Sequence, residues 1–124
     1  MTSKRNSILI ASSDLMNRSL DKVLLARTLK EGYEFEMFEN GEKLSNRLEN
    51  SKNIRAVILD RDLPKISEYE VLKNYAKQLD EIDFFMFYSG NDEIGERALE
   101  LGAKDYFTRP DPTAGRRIKK YLEG

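Results

Sequence analysis

Two carboxylates, Asp60 and Asp62, close the apolar run Ala56-Val57-Ile58-Leu59 and stand just ahead of Leu63-Pro64. The run is too short for an isolated helix and β-branched enough for a buried strand. Asp60 is therefore expected at the carboxyl edge of a sheet, where open α/β folds place their binding crevices. A carboxylate there can be a metal ligand, a general base or a nucleophile. It can equally be a helix N-cap or a loop residue, which explains most strand-terminal aspartates. The surrounding elements have to decide.

Those elements alternate. Ser7-Ile8-Leu9-Ile10-Ala11 reads as a strand, and Asp14 to Lys30 as a helix burying Met16, Leu20, Val23 and Leu24 at helical spacing, with Gly32 as its stop. Tyr33 to Phe38 alternates apolar residues with Glu34 and Glu36, the pattern of a strand with one wetter face near a sheet edge. Asn40-Gly41 punctuates, and a short helix carrying Leu44 and Leu48 leads to the Asp60 strand. Ser67-Glu68-Tyr69-Glu70 has the spacing of a capping box, with Tyr69, Leu72, Ala76 and Leu79 as the stripe behind it. Asp83 to Tyr88 is an aromatic-rich buried strand. Asn91-Asp92-Glu93 opens a helix with Ile94, Ala98 and Leu101 on one face, closed by Gly102. Asp105 to Thr108 is a brief last strand. Asp111 and Pro112 are an N-cap and first helical residue, leading into a helix that buries Ile118, Tyr121 and Leu122.

Five strands, each followed by a helix, specify an α/β fold: a doubly wound five-stranded parallel sheet with helices on both faces, (βα)5. The 124 residues form one domain, residues 1–124. The absence of cysteine and histidine excludes a disulfide framework and a zinc site built on those residues. No apolar run reaches membrane-spanning length. Lys4 and Arg5 precede an apolar run too short, and too soon followed by Asp14, for a secretory signal. A cytoplasmic protein is expected. The net charge of −1 comes from abundant, nearly balanced charges and names neither a nucleic-acid nor a membrane partner.

In a parallel sheet all carboxyl edges lie on one side. That edge collects Ser12, Ser13 and Asp14, then Asp60 and Asp62, then Ser89 and Gly90, then Arg109 and Pro110. A carboxylate, a hydroxyl and a fixed cation converging on one crevice suit the handling of a phosphoryl group.

Over essentially its whole length the chain resembles the receiver domains of two-component response regulators. The family pattern of Asp, Leu-Pro and then Glu-Val-Leu is matched by Asp60, Leu63-Pro64 and Glu70-Val71-Leu72. The family's Gly-Ala-Asp-Tyr-x-x-Lys-Pro stretch is matched by Gly102-Ala103 and then Asp105-Tyr106-Phe107-Thr108-Arg109-Pro110. The resemblance implies a flavodoxin-like receiver fold, with Asp60 at the phosphoacceptor position, Ser89 at the Ser/Thr position and Tyr106 as aromatic switch. It puts Arg109 in place of the family's lysine and a cis bond before Pro110.

Three departures separate the chain from that pattern. The family's acidic pair, which binds magnesium, is replaced by Ser12 and Ser13. Magnesium usually takes one or two carboxylates, so binding is expected to be weak or absent, with Asp60, Asp62 and Asp14 as candidate ligands. A one-residue slip of the first strand could bring Asp14 to the site, although its position in the first helical turn favours a structural role. Arginine at 109 offers a planar fork suited to a carboxylate, so Arg109 is expected to pair with Asp60 and mask it, with Asp62 the alternative anion. Glu68 stands where the family usually has glycine.

Two functions follow from the resemblance. One is a pseudo-receiver, a protein-interaction module rather than an enzyme, which keeps the fold with a degenerate magnesium site and needs no cofactor. The other is a phosphorylatable receiver whose Asp60 takes a phosphoryl group from a histidine kinase. Partners are expected to be a histidine kinase or a downstream signalling protein. They would use the face of the fourth helix, fifth strand and fifth helix: Ile94, Arg97, Tyr106, Arg116, Lys119 and Lys120. The basic run Arg116-Arg117-Ile118-Lys119-Lys120 reads either as a solvated helical face or as a dock for an acidic patch; nucleic acid is disfavoured for so few cations.

Overall fold

The computed structural model describes residues 5–124, so Lys4 lies outside the described residues. Five strands, β1 (Ser7–Ala11), β2 (Glu34–Phe38), β3 (Ile54–Asp60), β4 (Asp83–Tyr88) and β5 (Asp105–Thr108), pair in parallel in the order β2-β1-β3-β4-β5. Between them run the helices α1 (Leu15–Thr28), α2 (Gly41–Leu48), α3 (Glu68–Val71) and α4 (Asp92–Glu100), and α5 (Ala114–Glu123) ends the chain. α3 passes directly into a π-helical turn, Leu72–Ala76. The expected strand at residues 33–38 is the sheet edge beyond β1.

The central strands are apolar on both faces because both are covered. Alternate residues of a strand point to opposite sides. Leu9, Val57, Leu59, Phe84, Met86 and Tyr88 pack with Leu44, Leu48, Val71, Leu72 and Ala98 of α2, α3 with its π turn, and α4. Ile8, Ile10, Ile58, Phe85, Phe87 and Phe107 pack with Leu25 of α1 and Ile118 of α5. Each cluster buries many aliphatic and aromatic side chains at roughly 1.5–3 kcal/mol apiece. Among the described residues no helix is long and apolar enough to cross a membrane.

The local boundaries follow the caps. Asp14 is the N-cap of α1, its carboxylate accepting from the backbone N–H groups of Met16 and Asn17 at 2.8 and 3.3 Å. Ser67 accepts from the Glu70 N–H at 3.2 Å, and Asn91 from the Glu93 N–H at 3.1 Å. Gly102 follows α4 with φ of 114°, a left-handed turn that favours glycine.

Three expectations are corrected. The buried face of α1 is not Met16, Leu20 and Val23, which are exposed; it is Asp21 and Leu25, with Asn17, Leu24 and Thr28 half-buried beside them. α1 carries apolar residues on two sides, and a buried charge on the inner side disguises which one faces the sheet. α5 begins at Ala114 rather than at Pro112, because Asp111 closes a turn of its own, accepting from the Thr113 N–H at 2.8 Å and hydroxyl at 2.7 Å. Tyr121 is not buried: its ring lies edge-on to Phe85 at 5.3 Å while its hydroxyl donates to the Lys104 carbonyl at 3.2 Å.

Candidate functional site

Asp60 is the last residue of β3 and is only 7 % exposed. A carboxylate at that depth needs partners on most of its lone pairs. Oδ2 accepts from the Ser12 hydroxyl at 2.7 Å and from the Asn17 side-chain amide at 2.9 Å. Oδ1 accepts from the Arg61 N–H at 3.0 Å and from Arg109 Nε at 3.3 Å. Ser12 is placed by the end of β1, where its N–H donates to the Phe38 carbonyl of β2, and its own oxygen accepts from the Asp14 N–H at 3.1 Å. Asn17 reaches in from the first turns of α1, and Arg109 from the residue after β5.

The arginine fork does not close on Asp60. Nη1 and Nη2 of Arg109 donate to the two oxygens of Asp21 at 2.9 and 2.8 Å, a bidentate pair from the end of β5 to the inner face of α1. Asp21 is 3 % exposed, and burial raises its pKa above the usual carboxylate range, with Arg109 opposing. Burial works against the charge of Arg109, but Asp21 and Asp60 outweigh it and raise the guanidinium pKa further. The guanidinium also stacks over the Phe87 ring, 4.6 Å from its centroid. One half-buried cation thus serves two buried carboxylates.

The remaining sequence-predicted residues are dispersed along the same edge. Ser13 is exposed and Asp14 is spent on its cap, with no slip of β1, whose residues pair in register from Ser7–Glu34 to Ala11–Phe38. The Asp62 side chain is 83 % exposed and 3.7 Å from Arg61 Nε. Ser89 is exposed, and its carbonyl accepts from Arg61 Nη1 at 2.8 Å. The half-buried Tyr106 lies 5.8 Å from the Tyr88 ring, against the backbone of α4, where a Cβ on Gly95 would overlap it. The Arg109-Pro110 bond is cis.

These groups do not fit magnesium. The metal needs oxygen lone pairs in an octahedral array. Both Asp60 oxygens are engaged by hydrogen-bond donors, one of them a guanidinium, and both Asp21 oxygens face the same arginine. Among the described residues no three acidic side chains gather as a metal site. The arrangement neutralises a carboxylate and ties it to α1 and β5.

Sequence reasoning missed Asn17, Asp21 and the roles of Arg18, Arg61 and Glu68. Asn17 and Asp21 are four residues apart and share a helix face with Leu24, Leu25 and Thr28, a spacing that could have exposed them. Arg18 Nη1 donates to the Ser12 carbonyl at 2.6 Å, at the strand end that carries the hydroxyl. Glu68 is 3 % exposed and folds back to accept from the N–H groups of Asp62 and Leu63, each at 3.0 Å. It ties down the loop after Asp60, in which Asp62 and Lys65 have φ of 63° and 70°.

No family model and no curated protein matches the chain by sequence. Solved structures match it by shape. The beryllofluoride-activated DrrB receiver domain is 25 % identical, with a TM-score of 0.75 over 95 % of this chain and 97 % of its own. A CheY-like response regulator receiver domain protein from Methanospirillum hungatei JF-1 is 24 % identical, with a TM-score of 0.81 over 98 % and 95 %. The Saccharomyces cerevisiae Ssk1 receiver domain, solved with the histidine phosphotransfer protein Ypd1, is 18 % identical, with a TM-score of 0.72 over 98 % and 89 %. The five-stranded parallel sheet and its helices are the fold of response-regulator receiver domains.

Proposed function

We propose that residues 1–124 form a response-regulator receiver domain of two-component signalling that works as a protein-interaction module, in the cytoplasm and not as an enzyme. The observation that carries this reading is the set of donors on Asp60: Ser12, Asn17, the Arg61 N–H and Arg109 Nε. A carboxylate with its lone pairs so engaged is a poor nucleophile and a poor metal ligand. Partners are proteins of the same signalling class, a histidine kinase or a downstream protein; the yeast relative is solved with a phosphotransfer protein.

For docking we infer the face of α4, β5 and α5, where Ile94 and Tyr106 are half-buried and Leu99 is exposed. The basic run of α5 contributes less than its composition suggests. Arg117 pairs with Asp105 at 2.8 Å and Asp111 at 3.5 Å and covers the Phe107 ring, and Lys119 reaches the Thr28 carbonyl on the α1 side. Among the described residues Arg116 and Lys120 have no such partner and remain available.

The retained Asp60 and the exposed Ser89 at one sheet edge support the second reading, a phosphorylatable receiver. A titration separates the two. Magnesium is added to the labelled chain, then beryllofluoride as a phosphoryl mimic, while the amide resonances around Asp60 and Tyr106 are followed. The interaction-module reading expects no saturating shift. Sub-millimolar magnesium binding abolished by Asp60→Asn, or beryllofluoride shifts spreading to Tyr106, would establish the phosphorylatable reading instead.

A further inference from the structure

At the sheet edge opposite Asp60, the amino ends of the strands border a cavity of about 710 Å³ lined by Arg5, Lys30, Glu31, Tyr33, Arg55 and Leu122. Small-molecule sites run from roughly 300 to 1,000 Å³. Its walls are the entry to β1, the turn between α1 and β2, the start of β3 and the end of α5. Hydrogen bonds hold those walls together. The Asn6 side-chain amide donates to the Gly32 carbonyl at 3.3 Å, and the Glu34 N–H to the Asn6 carbonyl at 2.9 Å. The Lys30 N–H donates to Glu123 Oε2 at 3.0 Å, which ties the turn to α5. Arg55 Nη2 donates to the Tyr121 and Leu122 carbonyls at 3.3 and 3.4 Å and so caps that helix. Walls fixed in this way leave a ligand little ordering to do.

The lining has a cationic part and an apolar part. Arg5 and Lys30 are exposed. Arg5 donates to the Glu81 carbonyl, and among the described residues no carboxylate pairs with either cation. Arg55 is a third cation, its side chain 18 % exposed and its Nη1 2.9 Å from Asp83. Glu31 is the carboxylate of the lining, and Glu34 and Glu81 are exposed outside it. The two other carboxylates of this end are taken up. Glu123 accepts from the Lys30 N–H and lies 3.6 Å from Lys119 Nζ, while Asp83 is held by Arg55. Three cations against one carboxylate suit an anionic group. The half-buried Tyr33 and Leu122 suit a flat apolar one.

We propose that this cavity binds a small molecule that joins an anionic group, a phosphate or a carboxylate, to a planar ring. The anion is held by Arg5 and Lys30, and the ring packs on Tyr33 and Leu122. Arg55 and Asp60 stand near the two ends of β3, roughly 17 Å apart at the rise of a strand. The site therefore uses none of the groups around Asp60, and it does not depend on whether Asp60 accepts a phosphoryl group. A ligand bound to the folded chain across β1, the turn after α1 and α5 stabilises it by mass action.

The test titrates the full chain, isotope-labelled, with adenosine monophosphate and, separately, with naphthoate. Adenosine and inorganic phosphate, each carrying half of the chemistry, are run beside them. At least one of the two joined molecules is expected to give saturating shifts at the amides of Asn6, Gly32, Tyr33 and Leu122 and to raise the melting temperature. Binding of the nucleotide alone assigns a phosphate to the site, and binding of naphthoate alone a carboxylate. Adenosine and phosphate should each bind at least tenfold more weakly than the nucleotide if the site takes a phosphate. Affinity should fall at least tenfold in Arg5→Gln combined with Lys30→Gln, whose exposed side chains leave the fold unchanged by circular dichroism. Tyr33→Leu should weaken binding while leaving the salt dependence in place. No saturating shift with either joined molecule, full affinity in the double variant, or shifts confined to the Asp60 edge would each overturn the proposal. Such a failure leaves the Asp60 reading intact, and uptake of beryllofluoride would overturn that reading without touching this cavity.

Discussion

Arg109 gives both Nη groups to Asp21, at 2.9 and 2.8 Å, and only Nε, at 3.3 Å, to Asp60. The fork therefore joins β5 to α1 across the sheet edge and touches the candidate nucleophile with its weakest contact. Asp21 takes the fork because, among the described residues, no other donor engages either of its oxygens. Asp60, already held by Ser12 and Asn17, offers Arg109 one oxygen.

Arg109→Ala should cost about 3 kcal/mol, because it leaves Asp21 buried without its cation and removes the guanidinium from the Phe87 ring. Arg109→Lys keeps the charge but not the fork and should fall between the two. Chemical denaturation of the three proteins at one pH measures this. A loss below about 0.5 kcal/mol for alanine would mean that the pair is an ornament of the edge, as surface pairs often are.

The pH dependence has a definite sign. Burial raises the Asp21 pKa in the folded state, so the folded protein holds that proton more tightly than the unfolded chain. Its contribution is fully present below the ordinary aspartate value and is lost as pH rises through the raised one. The stability of the wild type minus that of Asp21→Asn should therefore fall with pH across this window. A difference that grows with pH would show that Arg109, rather than burial, governs Asp21.

Much of the fold is legible in the sequence because strands and caps are local. Asp83 to Tyr88 and Asp105 to Thr108 are strands with the expected limits, and Asn91 caps α4 as its position suggests. The inner face of α1 was hidden because hydrophobicity is a poor guide when the buried residue is a charge. Asp21 reads as a surface residue until Arg109, 88 positions later, is folded against it. Glu68 was opaque for a related reason: its partners are the backbone N–H groups of Asp62 and Leu63, which carry no sequence signal. The edge that gathers Ser12, Asp60 and Arg109 was visible, because parallel pairing alone puts those strand ends together.

Glu68→Ala should unlock the loop after Asp60. It strands two N–H groups that now share one buried carboxylate, at about 1–3 kcal/mol for an unsatisfied buried donor. Amide exchange at Asp62 and Leu63 should speed up well beyond that at core residues such as Val57. Unchanged protection at both would mean that the backbone turn holds itself.

Gly95→Ala should displace Tyr106, since a Cβ at residue 95 would overlap its ring. The displacement should cost about 1–3 kcal/mol, the range for overpacking, and move the ring resonances of both Tyr106 and Tyr88. In the wild type the Tyr106 ring should occupy one rotamer. Two exchanging rotamers whose populations respond to an acyl-phosphate donor would identify it as a working switch.

Ser12→Asp combined with Ser13→Asp tests why the edge is free of acidic partners. Ser12 donates to Asp60 at 2.7 Å, so a carboxylate in its place meets Asp60 as a second anion and forfeits that hydrogen bond. Arg109 cannot offset the addition, because its fork is committed to Asp21. Without a divalent cation the double variant should melt below the wild type. Magnesium should then restore it, since two or three carboxylates on one crevice give the metal the charged oxygens that the serines lack. The wild type should show no such recovery. Thermal denaturation with and without magnesium reads both effects. A double variant that stays indifferent to magnesium would mean that residues 12 and 13 do not address the crevice in which Asp60 sits.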